Sequence, residues 1–97
     1  YAVSKAADMQ LIRNLAIELG DKKIKVNGIA PGLIKTDFAK ALWEDSKIRD
    51  HYEQKTALKR LGDPDDIAGV ALFLASEASA YITRQTIFAD GGITITG

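Results

Sequence analysis

Apolar residues recur at three- and four-residue spacing along the first part of the chain, which is the pattern of a helix with one buried face. The pattern predicts a helix over residues 1–20, with Gly20 as its C-cap, because glycine tolerates the left-handed conformation that ends many helices. No capping residue precedes Tyr1, so we expect the helix to begin upstream of this sequence. The apolar stripe comprises Leu11, Ile12, Leu15, Ala16 and Leu19.

Two short apolar runs predict strands. Residues 24–30 form the first, which ends at Pro31-Gly32, and residues 86–89 form the second, which ends at a turn rich in glycine. A helix precedes the first strand, and this order favours a parallel sheet in an α/β fold. Two strands do not make a stable parallel sheet, so we expect its other strands to come from residues outside this sequence.

Further helices are predicted between the two strands. Residues 37–56 indicate one or two short helices, with a few apolar residues among many charges. Residues 63–76 indicate a longer helix, which Asp63 can cap and in which Pro64 suits the first position. The two aspartates that follow favour the positive end of its dipole.

Composition narrows the class of protein. The chain has 97 residues, and its 13 basic side chains balance its 13 acidic ones, so no charge favours a nucleic-acid partner. It has no cysteine, its single histidine has no clustered carboxylates at ligand spacing, and no apolar run could span a bilayer. We therefore expect no metal site, no nucleic-acid partner, no membrane association and a cytoplasmic location.

Tyr1 and Lys5 lie four residues apart, so their side chains share one face of the predicted helix. A phenol has an ordinary pKa near ~10 and is a poor acid-base catalyst at neutral pH. An ammonium held beside it stabilises the phenolate and lowers that pKa. Such a pair can deliver a proton to a carbonyl or accept one from an alcohol. The alternative interpretation is a solvated helix start without chemistry.

The segment from Pro31 to Thr36 follows the first predicted strand, at the end where open α/β sheets bind ligands. The turn at Pro31 and Gly32 lets the backbone approach a ligand closely, and Thr36 offers a hydroxyl. Ligand binding is one interpretation of this segment. The other is a strand-ending turn in which Thr36 caps the next helix.

Together these segments resemble the short-chain dehydrogenase/reductase family, in the right order and over nearly the whole chain. Its Y-x-x-x-K motif corresponds to Tyr1 through Lys5, and Thr36 stands where its P-G-x-x-x-T pattern has a threonine. Residues 30–43 are especially similar to the carbonyl and retinol reductase branch. The other segments that carry the resemblance are Lys25-Val26-Asn27-Gly28-Ile29-Ala30-Pro31-Gly32, Arg60-Leu61-Gly62-Asp63-Pro64-Asp65-Asp66-Ile67-Ala68, Tyr81-Ile82-Thr83-Arg84-Gln85-Thr86 and Asp90-Gly91-Gly92.

The resemblance implies an α/β fold in which residues 1–97 are the C-terminal portion of a single Rossmann-type domain. Its doubly wound parallel sheet would lack the N-terminal half here. The implied activity is that of an oxidoreductase that transfers hydride between NAD or NADP and a small-molecule carbonyl or secondary alcohol. Tyr1 would be the acid-base residue beside the cofactor, and Lys5 would lower its pKa and hydrogen-bond the nicotinamide ribose. The resemblance also implies a homodimer or homotetramer.

The same resemblance assigns cofactor contacts to the segment that follows the first strand. Pro31 and Gly32 would shape the nicotinamide side of the pocket. The Ile34 backbone and Thr36 would hold the carboxamide. Residues 37–55 would form a mobile lid over the substrate.

The family's Gly-rich phosphate loop and its catalytic Ser and Asn would all lie upstream of Tyr1, and this sequence contains none of them. We therefore predict that the 97 residues alone have no dehydrogenase activity. A rival interpretation is a non-catalytic, truncated family member that serves as an oligomerisation or assembly module. Helices 1–20 and 63–76 would then form its contacts.

Arg84 stands where the family often has glycine. If this turn needs a positive φ, a side chain there costs about 1 kcal/mol. We expect the cost to affect stability more than chemistry.

Overall fold

The protein is described by a computed structural model over residues 2–93. These residues form two compact units, which are described separately. The first unit comprises residues 2–29 and 71–87, and the second comprises residues 30–70 and 88–93. The elements are α1 (Ala2–Leu19), β1 (Gly28–Pro31), α2 (Lys40–Glu44), α3 (Ser46–Lys55), α4 (Pro64–Ala75) and β2 (Thr86–Ala89), with 3-10 turns at Gly20–Lys22 and Glu77–Ser79.

Helix α1 confirms the helix predicted over residues 1–20, but its end is not the one predicted. Gly20 starts a 3-10 turn instead of capping the helix, and the left-handed residue is Lys23, with a φ of 59°. The Lys23 N–H donates to the Gly20 carbonyl at 2.9 Å, and the Ile24 N–H donates to the Leu19 carbonyl at 3.3 Å. The tighter turn therefore satisfies the last carbonyls of α1 and moves the cap to residue 23.

Strand β1 is shorter than the strand predicted over residues 24–30, because it begins only at Gly28. The backbone of Val26 is bonded to the loop before β2. Its N–H donates to the Thr83 hydroxyl at 3.0 Å, and its carbonyl accepts from the Arg84 N–H at 2.8 Å. Since these bonds already satisfy the backbone, the regular ladder starts after them.

β1 and β2 pair as a two-stranded sheet. The Gly28 N–H donates to the Gln85 carbonyl at 2.8 Å, and the Gly32 N–H donates to the Ala89 carbonyl at 3.1 Å. Because both partners advance together along the chain, the strands are parallel, as the sequence predicts. β2 covers the predicted residues 86–89.

A lysine ammonium joins distant segments of the first unit. Lys25 Nζ donates to the Leu74 carbonyl at 3.1 Å, to the Ser79 carbonyl at 2.9 Å and to the Ser79 hydroxyl at 2.8 Å. Leu74 lies in the last turn of α4, where carbonyls lack helical partners and carry the negative end of the dipole. Ser79 is fully buried, and its hydroxyl also lies 2.9 Å from the Leu74 carbonyl.

In the second unit, carboxylates fix the starts of two helices. α2 and α3 are the short helices predicted between the strands, and Asp45 caps α3 by accepting from the Lys47 and Ile48 N–H groups at 2.9 and 3.3 Å. At α4 the predicted cap was Asp63. The bond found there runs the other way, because the Asp66 carboxylate accepts from the Asp63 N–H at 2.8 Å. This is the second half of a capping box.

Much apolar surface stays uncovered within the described residues. The buried apolar side chains there are those of Ala16, Ala30 and Leu61. In α/β folds a helix buries its apolar stripe against a neighbouring layer, and several side chains of α1 and α4 have no such cover among residues 2–93. Within that range, no helix combines the length and apolar character that crossing a membrane requires. The exposed side chains on these helices include Leu11, Ile17, Leu72 and Phe73.

The turn before β2 adopts the conformation considered for Arg84. Its φ is 68°, in the left-handed region that favours glycine. The Arg84 N–H is bonded to the Val26 carbonyl, so this conformation is needed to hold the loop against the segment that leads into β1.

Candidate functional site

The residues after β1 form a close backbone approach in the second unit. The Gly32 N–H donates to the Ala89 carbonyl at 3.1 Å. A Cβ on Gly32 would lie 2.9 Å from the Cα of Asp90, which is closer than side chains normally come to a backbone. Glycine is therefore required here, because the backbone at Asp90 leaves no room for a side chain. The segment lies close to the end of β2.

Ile34 lies in an isolated parallel bridge with Gly62. The Gly62 N–H donates to the Leu33 carbonyl at 3.0 Å, and the Lys35 N–H donates to the Gly62 carbonyl at 2.9 Å. A parallel bridge of this kind uses the groups on either side of Ile34, so the N–H and C=O of Ile34 itself face the opposite edge. The Ile34 carbonyl there accepts from the Thr36 N–H at 2.8 Å.

Thr36 accepts hydrogen bonds from two residues of the turn and helix that follow. Its hydroxyl accepts from the Ala39 N–H at 3.2 Å, and its carbonyl accepts from Trp43 Nε1 at 2.8 Å. The predicted alternative, in which Thr36 caps the next helix, is wrong for α2, whose N-cap is Ala39, and Thr36 caps only the turn that leads into α2. A hydroxyl that accepts a bond still has its own proton to donate, so capping does not exclude binding to a ligand carbonyl.

An ion pair stands next to the bridge. Arg60 Nη1 and Nη2 donate to the two carboxylate oxygens of Asp66 at 2.9 and 3.3 Å. The Arg60 guanidinium, with the Asp63 N–H as a second donor, lowers the pKa of Asp66 to about 2. The hydrogen bond and charge of Asp66 raise the pKa of Arg60 in turn. The sequence did not predict this pair, although an arginine shortly before an acidic helix start was a usable signal.

A buried threonine in the loop before Arg60 binds the Arg60 backbone. Thr56 is 6% exposed, and its hydroxyl accepts from the Arg60 N–H at 3.2 Å. The next two N–H groups, of Ala57 and Leu58, donate to the carbonyls of Gly92 and Gly91 at 3.0 and 3.1 Å. A small cavity lies within this unit, and its lining includes Gly32, Ile34, Tyr52, Thr56, Arg60 and Asp90.

The structure brings together four of the six site residues predicted from the sequence. Pro31, Gly32, Ile34 and Thr36 follow one another on a single segment of the second unit. Lys5 lies half-buried in α1 of the first unit. Tyr1 lies outside the described residues, so its pairing with Lys5 stays a prediction.

The chain is similar to known proteins over nearly its whole length. A family model described as enoyl-(acyl carrier protein) reductase matches residues 1–94. Dehydrogenase/reductase SDR family member 4 of Oryctolagus cuniculus is 50% identical over 92 residues, which are 95% of this chain and 35% of that protein. The 7alpha-hydroxysteroid dehydrogenase of Escherichia coli (strain K12) is 48% identical over 92 residues, 95% of this chain and 36% of that enzyme. The chain thus spans about a third of the length of these relatives.

Solved structures of short-chain dehydrogenases match the fold of this chain. 4-Hydroxyisoleucine dehydrogenase complexed with NADH matches with a TM-score of 0.91 and 30% identity, over 100% of this chain and 40% of that one. A short-chain type dehydrogenase/reductase from Mycobacterium ulcerans matches with a TM-score of 0.88 and 41% identity, over 95% and 34%. The predicted α/β fold of Rossmann type is therefore confirmed.

Proposed function

The chain belongs to the short-chain dehydrogenase/reductase family, and from that premise we propose that residues 1–97 are the C-terminal portion of a single Rossmann-type domain in an NAD- or NADP-dependent oxidoreductase. The nicotinamide cofactor supplies the hydride chemistry, and the protein supplies geometry and a proton. The substrate is a small carbonyl compound or secondary alcohol. The similarity to a hydroxysteroid dehydrogenase makes a 7α-hydroxysteroid a suitable first substrate to test.

One observation carries this proposal, namely the hydrogen bonding around Ile34 and Thr36. The bridge to Gly62 turns the Ile34 N–H toward the opposite edge, and Thr36 has a hydroxyl proton to donate. A nicotinamide carboxamide has a carbonyl that accepts such bonds. Pro31 and Gly32 precede these donors in a segment where backbone must pass close to a neighbour. The residues present therefore fit the nicotinamide end of the cofactor.

The proton is assigned to Tyr1, with Lys5 as the residue that lowers its pKa. The two residues are one helical turn apart, which is the spacing at which an ammonium can stabilise a phenolate. In carbonyl reduction the Tyr1 hydroxyl gives its proton to the oxygen of the substrate. In alcohol oxidation the phenolate takes that proton back. Lys5 would also hydrogen-bond the nicotinamide ribose of the bound cofactor.

The uncovered apolar side chains of α1 and α4 require cover from outside residues 2–93, either from the rest of the domain or from a second subunit of a homodimer or homotetramer. Leu11 and Ile17 on α1 are 56 and 65% exposed, and Leu72 on α4 is 73% exposed. The same side chains also support the second candidate function, a non-catalytic assembly module. In that case the 97-residue chain binds intact subunits and catalyses nothing.

A chimera tests the enzymatic proposal. It joins the upstream residues of Escherichia coli 7alpha-hydroxysteroid dehydrogenase, up to the matched region, to residues 1–97 of this chain. We expect it to reduce NAD⁺ or NADP⁺ in the presence of a 7α-hydroxysteroid. Tyr1→Phe should lower kcat at least about a hundredfold, because it removes the acid-base group. Tyr81→Phe is the matched control, since Tyr81 is fully exposed.

Two results would decide against the enzyme. A chimera with native circular dichroism but no turnover rejects it, and so does full activity in Tyr1→Phe. The 97-residue chain alone is expected to show no turnover. If it co-elutes with intact subunits of a relative on size exclusion while the chimera stays inactive, the assembly module is the better description.

A further inference from the structure

We propose that Arg60 and Asp66 are positioning residues for the cofactor, because their ion pair sets the register of Gly62 against Ile34. This inference rests on the proposed function, in which the Ile34 backbone binds the nicotinamide carboxamide. Neither side chain is proposed to touch the cofactor. Their effect passes through the backbone of the bridge.

The side chains of Arg60 and Asp66 bind the two ends of the short segment from Leu61 to Asp63. Besides its two bonds to Asp66, Arg60 Nη1 donates to the Leu61 carbonyl at 3.0 Å. Asp66 also accepts from the Asp63 N–H at 2.8 Å. The guanidinium thus binds the beginning of the segment and the carboxylate binds its end, and the bidentate geometry fixes their relative orientation.

Gly62 lies between these two ends and is bonded to the residues on both sides of Ile34. Leu61, just before it, is 3% exposed and anchors the segment in the second unit. The link between Gly62 and the Ile34 segment is made by these two backbone hydrogen bonds. A shift of Gly62 therefore displaces the Ile34 backbone, and with it the N–H that the proposal assigns to the carboxamide.

The exposure of the ion pair indicates that it positions the backbone and adds little to the free energy of folding. The side chains of Arg60 and Asp66 are 50 and 40% exposed, and exposed ion pairs contribute little to folding. The described residues offer a matched control in Lys40 and Glu44, which are 3.5 Å apart and 56% exposed each. That pair lies within α2 and has no bond to the bridge, so its removal changes charge without changing the register.

The first test uses the chimera and its affinity for two nucleotides, measured by calorimetry. One is NADH or NADPH, whichever binds, and the other is the same nucleotide without its nicotinamide. Arg60→Ala and Asp66→Ala should each raise the Kd of the intact cofactor about fivefold, the loss of roughly one hydrogen bond. The Kd of the nicotinamide-free nucleotide should stay unchanged. The double variant should match the single ones, because the residues act as a unit, and Lys40→Ala should change neither Kd.

The second test uses amide hydrogen exchange in the chimera without nucleotide, and it does not depend on the proposed function. Arg60→Ala should speed exchange of the Gly62 and Lys35 amides about fivefold, whereas Lys40→Ala should not. Unchanged exchange overturns the inference. So does an equal loss of affinity for both nucleotides, which indicates a general structural role. If the unmodified chimera binds no nicotinamide cofactor while exchange responds as expected, the proposed function fails and the control of register by Arg60 stands.

Discussion

Each of the two units contains a cationic side chain that joins separate segments. The two cations are bound in different ways. In the first unit, Lys25 makes three hydrogen bonds to uncharged acceptors, one of them the hydroxyl of the fully buried Ser79. In the second unit, Arg60 faces the carboxylate of Asp66, and both side chains are about half exposed. An ammonium with three hydrogen bonds to part-buried acceptors supports the fold, because its removal loses all three bonds to residues 74 and 79. A solvated ion pair contributes little energy but fixes orientation.

The largest expected effect is the loss of the Lys25 ammonium. Lys25→Met keeps the length of the side chain and removes its hydrogen bonds, so we expect the free energy of unfolding to fall by about 2–3 kcal/mol. Urea denaturation of the chimera measures the change. Lys22→Met is the control, because Lys22 is exposed, and it should shift the value by less than about 0.5 kcal/mol. Equal effects of the two variants would remove the distinction between the units.

A smaller effect is expected from relief of backbone strain in the first unit. Arg84 has a φ of 68°, so Arg84→Gly should raise the free energy of unfolding by about 0.5–1 kcal/mol. Thermal denaturation followed by circular dichroism measures the gain. Arg84→Ala keeps a Cβ in the same conformation and should bring no gain. A gain with alanine would show that the arginine side chain, and not the φ angle, causes the strain.

The smallest effect concerns the acid sensitivity of the second unit. The pKa of Asp66 is about 2 in the folded protein, below its ordinary value of 3.8. A lowered pKa means that the stabilisation is present above pH 4 and is lost as the pH falls from about 4 to about 2. We expect the urea midpoint to fall less steeply over this range in Asp66→Asn than in the wild-type chain. In the control Asp65→Asn, the urea midpoint should fall with pH as steeply as in the wild type. An equally steep fall in Asp66→Asn would contradict the role of the pair.

The sequence was sufficient for features that depend on neighbours along the chain. The apolar spacing predicted α1, and a continuous apolar run predicted β2 at residues 86–89. The family resemblance raised a positive φ at Arg84 only as a condition, and the structure has it. The family resemblance also predicted cofactor contacts for the segment from Pro31 to Thr36, and these stay a prediction. Each of these depends on local preferences or on a motif that is contiguous in the sequence.

Features that depend on distant partners required the structure. The start of β1 is set by the loop at residues 83–84, the Lys25 ammonium meets Ser79, and Ile34 is held by Gly62. A periodic pattern records which side of an element is apolar, but not which distant carbonyl or N–H will meet its backbone. The sequence therefore determined the helices, the second strand and the family of this protein. Tertiary structure alone decided which backbone groups around Ile34 are already bonded, because that pairing depends on contacts between residues far apart along the chain.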